Sequence, residues 1–371
     1  MANPIYSPVI KGKLNDLKAL GKLSASARTK IKPMIEAMPL GKKIDVDKHL
    51  YSLANYLIKH APLGDIFLDF YGIKAGLKTA DGQDAVLAGF NLVKSMGRTV
   101  TPAYGFNRDD TLWQALGEVC LKFSQGFCFR VDIDDIDDVM LAEETWAHII
   151  ERSSEIKLKA KDIDVMIDLR DISNSDLDGV QDKIIDFLTI NADYKNYRSI
   201  ILVGSSALKT VKDIPVDGVK AILRNELVVW AKLLKDLPET INIVFGDYGI
   251  IHPDFSDQGP NKYKNAKIRY TNGWNITYFR GHGLTHPVKD YAQYHKLADK
   301  VRSSQGFSGR EFSYGDAYID DVADINVSHG SPATWVLADM NHHLEYTAVQ
   351  MESLIVKIQE VENVSELIAI N

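Results

Sequence analysis

The sequence predicts an α/β fold: a TIM-like (β/α)8 barrel with an insertion after strand 8 and an irregular C-terminal cap ending in a helix. Three observations carry this. Eight short strand-like runs recur between residues 6 and 248, and most of the gaps between them carry helix-period apolar stripes. In addition, the runs at 127–133 and 165–170 each hold a carboxylate and a guanidinium two residues apart. Side chains alternate along a strand, so Arg130 shares a face with Asp132 and Asp168 with Arg170, while Phe129, Val131, Ile167 and Leu169 share the other. A greasy face under helices and a polar face inside fit a parallel barrel, whose sites lie at the C-terminal mouth.

The runs fall at residues 6–11, 31–37, 65–71, 99–106, 127–133, 164–171, 199–205 and 241–248. Leu50, Leu53, Ala54, Leu57 and Ile58 form a helical stripe after the second run, and Val86, Leu87, Phe90 and Val93 another after the third. Leu112, Leu116, Val119 and Leu121 follow the fourth. Ile184, Ile185, Phe187 and Leu188 follow the sixth, and Leu227, Trp230, Leu233 and Leu234 precede the eighth. Parallel neighbours need long return connections of this kind. An open doubly wound sheet is the rival, but its first strand feeds a glycine-rich phosphate loop, whereas the first turn here reads Lys11, Gly12, Lys13, Leu14, Asn15.

Beyond residue 248 the alternation stops. Residues 249–266 are rich in Gly, Pro, Asp and Asn, and 267–279 read as a hairpin around Asn272 and Gly273. Residues 288–302 suggest a helix, 305–338 an irregular aromatic-rich stretch, and 341–360 a closing amphipathic helix. The economical description is one elaborated domain, with a barrel core at about 1–248 and the hairpin insertion, cap and closing helices at 249–371.

At 371 residues, 45% hydrophobic and 25% charged, the chain is expected to be globular. A net charge of −7 gives no global reason to bind extended nucleic acid or an anionic membrane, though a local basic mouth can hold a small anion. Cys120 and Cys128 are the only cysteines, which sets aside a disulfide framework or a cysteine zinc site. With neither a signal-like start nor a long apolar run, a soluble cytoplasmic protein is expected.

Residues 6–13 (Tyr6, Ser7, Pro8, Val9, Ile10, Lys11, Gly12, Lys13), 32–36 (Lys32 to Glu36), 330–335 (Gly330 to Trp335) and 341–344 (Asn341, His342, His343, Leu344) resemble the "beta protein" family. That family is named from a T-even phage and is widespread in bacteria and mobile elements. The resemblance runs from the first strand to the last helix. It implies a phage, prophage or antiphage-defence setting and supplies no reaction and no catalytic residue.

Polar residues at the strand ends locate the candidate site: Lys11 and Lys13, Glu36, Asp69, Tyr104, Arg130 and Asp132, Asp168 and Arg170, Ser205, and Asp247 with Tyr248. Lys11, Lys13, Arg130 and Arg170 would grip an anion, with Tyr104 and Tyr248 as further ligand contacts and Arg280 closing from the insertion. Glu36, Asp69, Asp132, Asp168 and Asp247 would act as general bases or metal ligands, with Asp132 and Asp168 the pair for Mg²⁺ or Mn²⁺. The expected ligand is a phosphate-bearing small molecule or nucleotide, and the expected chemistry a metal-dependent phosphoester hydrolase. The alternative is a noncatalytic sensor or inhibitor that recognises a ligand or protein partner.

The same groups could instead pair with one another as an interior ion-pair network. Lys11 and Lys13 also admit Schiff-base chemistry. The acidic run from Asp132 to Asp138 lacks the glycine and terminal glutamate of a calcium loop and reads as a helix start. His342 and His343 are adjacent on a helix and diverge, and no H-E-x-x-H occurs, so histidine-based zinc hydrolysis is disfavoured. Late aromatics from Tyr263 to Trp335, interleaved with Arg269, Arg280 and Arg310, suit a packed cap better than a base-stacking surface.

Overall fold

The computed structural model describes residues 4–41, 44–61, 64–123, 126–238, 241–254 and 264–369. Its strands are β1 (Val9–Lys11), β2 (Met34–Glu36), β3 (Phe67–Asp69), β4 (Thr101–Gly105), β5 (Phe127–Asp132), β6 (Ile163–Asp171), β7 (Ser199–Ser205), β8 (Val219–Leu223), β9 (Ile243–Asp247), β10 (Asn265–Asn272) and β11 (Asn275–Gly283). Eight of them, β1 to β7 and then β9, lie side by side in chain order and all run parallel. Tyr6 bridges both Ile31 and Phe245, and the Ser7 N–H donates to the Phe245 carbonyl at 2.8 Å, which joins the last strand to the first. All eight expected barrel strands are present.

Alternation organises the interior into layers. Val9, Met34, Phe67, Ala103, Cys128 and Met166 belong to one buried cluster inside the barrel. Two residues further along the same strands stand Lys11, Glu36, Asp69, Gly105, Arg130 and Asp168, so a charged layer rests on an apolar floor. Ile10, Ile35, Leu68, Phe129, Val165, Ile167 and Phe245 face outward and join the helices in the main core. Helix starts are fixed by acid caps: Asp45 accepts from the Lys48 N–H, Asp84 from Val86 and Asp138 from Leu141. Asp132 caps the short 3-10 turn Ile133–Ile136, so the acidic run does start helical structure. Ile58 and Leu121 sit at the edges of their stripes and remain exposed.

The cap departs from expectation in three places. Its sheet has three antiparallel strands in the order β10-β11-β8, and β8 comes from the connection between β7 and the helix Asn225–Asp236. The exposed stretch Val219–Leu223 has no clear period of its own and is a strand only because β11 pairs with it. The hairpin turn is Gly273 and Trp274, between paired Asn272 and Asn275; Gly273 has φ +57°, which suits glycine at that position. The last long helix begins not at 341 but at Pro332 and runs to Glu360, because Ser331 caps it and Pro332 occupies its first turn. Residues 305–338 therefore hold that start and the helix Tyr314–Val322.

One face of β10 and β11 packs Ala266, Ile268, Tyr270 and Phe279 against Tyr294, Leu297, Ile319, Val322 and Trp335, a second core distinct from the barrel's. Most late aromatics are spent there, as expected of packing; Tyr263 lies outside the described residues. Among the described residues no helix is long and apolar enough to cross a membrane.

Candidate functional site

Arg130 occupies the centre of the charged layer. Its Nε and Nη2 donate to Asp168 Oδ2 at 2.9 and 2.7 Å, and its Nη1 to Glu36 Oε1 at 2.7 Å and Asp69 Oδ2 at 2.8 Å. Nη2 also donates to the Tyr248 hydroxyl at 2.7 Å, which in turn donates to Asp168 Oδ2 at 2.6 Å. Lys11 closes on the other Glu36 oxygen, and Arg108 pairs with both oxygens of Asp69. Three cations thus meet three carboxylates. Burial opposes ionisation of Glu36, but Arg130 and Lys11 outweigh it and hold the carboxyl at about 2.

Above this layer the strand ends open into a recess of about 70 Å³, edged by Tyr71, Arg108, Asp132 and Arg170. Arg170 has φ +55°, and the β6–β7 register slips between Asp168 and Asp171. That left-handed residue is unfavourable for arginine and re-aims the side chain, which reaches the Tyr248 hydroxyl at 3.2 Å and Asp254 at 3.1 Å. Burial raises the Asp132 carboxyl above its ordinary value, with Asp168 adding to the effect.

A larger cavity of about 530 Å³ lies beside it, over the ends of β1, β7 and β9 and under the cap. Lys13, Lys209, Lys264, Lys267 and Arg269 line it, together with Leu208, Ile250, Ile251 and Val336. Asp16 is the one carboxylate among the described lining residues, and the start of the long helix at Ser331 and Pro332 forms one wall. Lys209 and Arg170 share Asp254, which ties this cavity to the recess.

A family model described as "Beta protein" matches residues 6–349. The chain belongs to the Beta protein family. Among solved structures it is similar to a mandelate racemase/muconate lactonizing protein from Herpetosiphon aurantiacus, at 12% identity and a TM-score of 0.34, with 76% of this chain and 63% of that one covered. The chain thus spans less than two thirds of that structure's length. No curated protein matches it.

In this Beta protein family member, the expected site residues divide sharply. Lys11, Glu36, Asp69, Arg130, Asp168, Arg170 and Tyr248 come together, with Asp132 at the rim. Tyr104 does not join them: Ala103 points inward, so Tyr104 points outward and packs on Phe106 and Trp113. The same alternation separates Asp247 from Tyr248. Asp247 faces the long helix, where Tyr6 donates to it at 2.7 Å, Arg224 at 3.2 Å and His343 Nε2 at 2.9 Å. Burial opposes its ionisation, but His343, Arg224 and Tyr6 outweigh that and hold it at about 2.

Arg280 also lies elsewhere, donating to the carbonyls of Val211, Lys212 and Ile214 and so pinning that loop. Lys13 lines the cap cavity, not the charged layer. His342 and His343 diverge as expected, His342 towards Asp316 at 2.8 Å and His343 towards Asp247. Arg310 pairs with Asp320 and Asp321 on the surface.

The expected Mg²⁺ or Mn²⁺ pair, Asp132 and Asp168, does not fit the geometry. Asp168 spends Oδ2 on Arg130 and Tyr248 and Oδ1 on the Arg170 N–H, and Asp132 accepts from the Asp134 N–H at 3.3 Å. Glu36 and Asp69 are likewise bound to cations, and a divalent ion would face Arg130 directly. No group of three potential ligands is assembled among the described residues. Arg108, Lys209, Lys264, Lys267 and Asp254 lie outside the sequence-expected site. Arg108 and Lys209 sit in connections leaving β4 and β7, so the barrel rule could have found them; Lys264 and Lys267 required knowing where the cap folds back.

Proposed function

We propose that the protein binds a small molecule bearing phosphate or carboxylate in the cavity between the barrel mouth and the cap. One observation carries this: a cavity of about 530 Å³ with five cationic side chains and one carboxylate among its described lining residues, in a chain whose net charge is −7. The volume lies in the range of ligand sites, and the apolar wall of Leu208, Ile250, Ile251 and Val336 suits a ring or short chain attached to the anion. The positive end of the 29-residue helix Pro332–Glu360 adds favourable potential.

Recognition fits better than metal-dependent phosphoester hydrolysis, because Glu36, Asp69 and Asp168 are already neutralised by Lys11, Arg108 and Arg130. The charged layer then acts as a rigid floor that fixes the mouth connections. That the family is named from a T-even phage supports a setting of infection or host defence for such a ligand.

Thermal melts with nucleoside monophosphates, sugar phosphates and dicarboxylates test the proposal, with and without Mg²⁺. A ligand at about 100 times its Kd stabilises by about 2.7 kcal/mol, which is a readable shift. The shift should vanish in Lys209→Glu and Lys264→Glu and persist in Lys357→Glu, which lies in a different groove. No shift with any anion, or an undiminished shift in the two cavity variants, would overturn the assignment.

A further inference from the structure

We propose that Lys267 is a reactive amine that condenses with small carbonyl compounds carrying a carboxylate or phosphate, forming an imine inside the cap cavity. This rests on the anion-binding reading of that cavity and assigns its substrate class.

The argument begins with the strand. Ala266, Ile268 and Tyr270 anchor one face of β10 in the cap core, so Lys267 and Arg269 share the opposite face and line the cavity. The Lys267 side chain is half-buried, and its ammonium makes no hydrogen bond or ion pair with any described residue. Two lysines inside the barrel are, by contrast, neutralised: Lys11 by Glu36, and Lys32 by Asp65 and Asp164.

The surroundings of Lys267 also favour a free amine. Burial is the largest effect, Arg269 and Lys264 add repulsion, Asp339 opposes them, and the group sits at about 8 instead of its ordinary 10.5. Among the described residues, the remaining titratable groups on the cavity wall are Lys13, Asp16, Lys209 and His252, so cations outnumber acids there too. Behind the strand, Asp339 accepts from the Arg269 N–H and Nε through Oδ2 at 3.1 and 3.0 Å, while its Oδ1 is buried without a partner. Burial raises that carboxyl to about 6, with Arg269 opposing. An amine and an acid whose proton affinities both lie near neutrality therefore occupy neighbouring positions.

The chemistry balances without any further reactant. The neutral nitrogen attacks the carbonyl carbon, and the proton it loses ends on the carbonyl oxygen, giving a carbinolamine. The hydroxyl then leaves with the second amine proton as water, and the C=N bond forms. The anionic part of the substrate would lie among the lysines and the helix start while its carbonyl meets Lys267.

Full-length protein is incubated near pH 8 with glyoxylate or glyceraldehyde 3-phosphate and cyanoborohydride, and adducts are mapped by peptide mass spectrometry, with propanal as the neutral probe. Lys267 should be labelled on the order of tenfold or more faster than an exposed lysine such as Lys48, as its larger unprotonated fraction dictates. Lys267→Arg should remove that adduct without a large change in melting temperature; the wild-type map alone still decides the matter if the variant misfolds. Labelling spread over exposed lysines, or a spared Lys267, overturns the proposal. If anions still raise the melting temperature in that case, the binding assignment stands without the covalent step. Equal labelling of Lys267 by propanal overturns the anionic substrate class.

Discussion

Arg130 donates to groups from four different parts of the barrel: Asp168 on β6, Glu36 on β2, Asp69 on β3, and Tyr248 just after β9. Removing a buried cation leaves its carboxylates uncompensated in a low dielectric, and that cost exceeds whatever the intact pairs contribute. Arg130→Met is therefore expected to destabilise by about 3–5 kcal/mol. Arg170→Ala, by contrast, is expected to cost under about 1 kcal/mol, because its Asp254 partner is half exposed. Urea denaturation of the two variants checks the difference; equal small losses would mean that the layer is not the structural floor described here. The pairing also explains why sequence alone left the site ambiguous. Alternation places Arg130 and Asp168 on one face but cannot say whether they reach for a ligand or for each other.

The element that decides how the cap sits is the helix Pro332–Glu360. Its buried face carries His342 towards Asp316 and the Thr271 carbonyl, and His343 towards Asp247 and the Thr271 hydroxyl, so adjacent residues dock it to barrel and cap at once. Ser331 caps its first turn by accepting from the Thr334 N–H at 3.2 Å. Ser331→Ala is expected to cost about 1 kcal/mol of stability by removing that cap. Hydrogen exchange should then quicken in the first turn while the β5–β6 core is unchanged, and an effect spread evenly through the barrel would contradict a local cap. The cap signal of serine followed by proline was present in the sequence but was masked by the aromatic-rich stretch around it, which carries no clean period.

For the whole molecule, buried acids pull in opposite directions. Glu36 and Asp247 are held at about 2, below their unfolded values, so the stability they contribute is present above pH 4–5 and is lost as pH falls towards 2. Glu226 is raised to about 7 and Asp339 to about 6, chiefly by burial, so the folded protein holds their protons more tightly than the unfolded chain. Their contribution is present below the unfolded carboxylate range and is lost as pH rises through 6 and 7. Each shift corresponds to roughly 2–4 kcal/mol. Burial also lowers the His343 imidazole, which opposes this loss between pH 5 and 7, so the expectation is differential: Glu226→Gln should lose less melting temperature than the wild type as pH rises from 5 to 7. A Glu226→Gln profile parallel to that of the wild type from pH 5 to 7 would contradict the raised Glu226 carboxyl.

The periodicity of the chain specifies the barrel, its eight strands, the inward-facing set from Lys11 to Asp168 and the helix start in the acidic run from Asp132, because these follow from periods of 2 and 3.6 and from the preference of acids for a helix N-terminus. Applied strictly, the same period separates Tyr248 from Asp247 and Ala103 from Tyr104. Long-range packing alone makes the charged layer neutralise itself, brings β8 into the cap sheet and sets Arg280 to pin a loop. It alone placed Lys13, Lys209, Lys264, Lys267 and Arg269 around one cavity. Those contacts join residues as far apart as Lys13 and Arg269, and no local period reports on such distances along the chain.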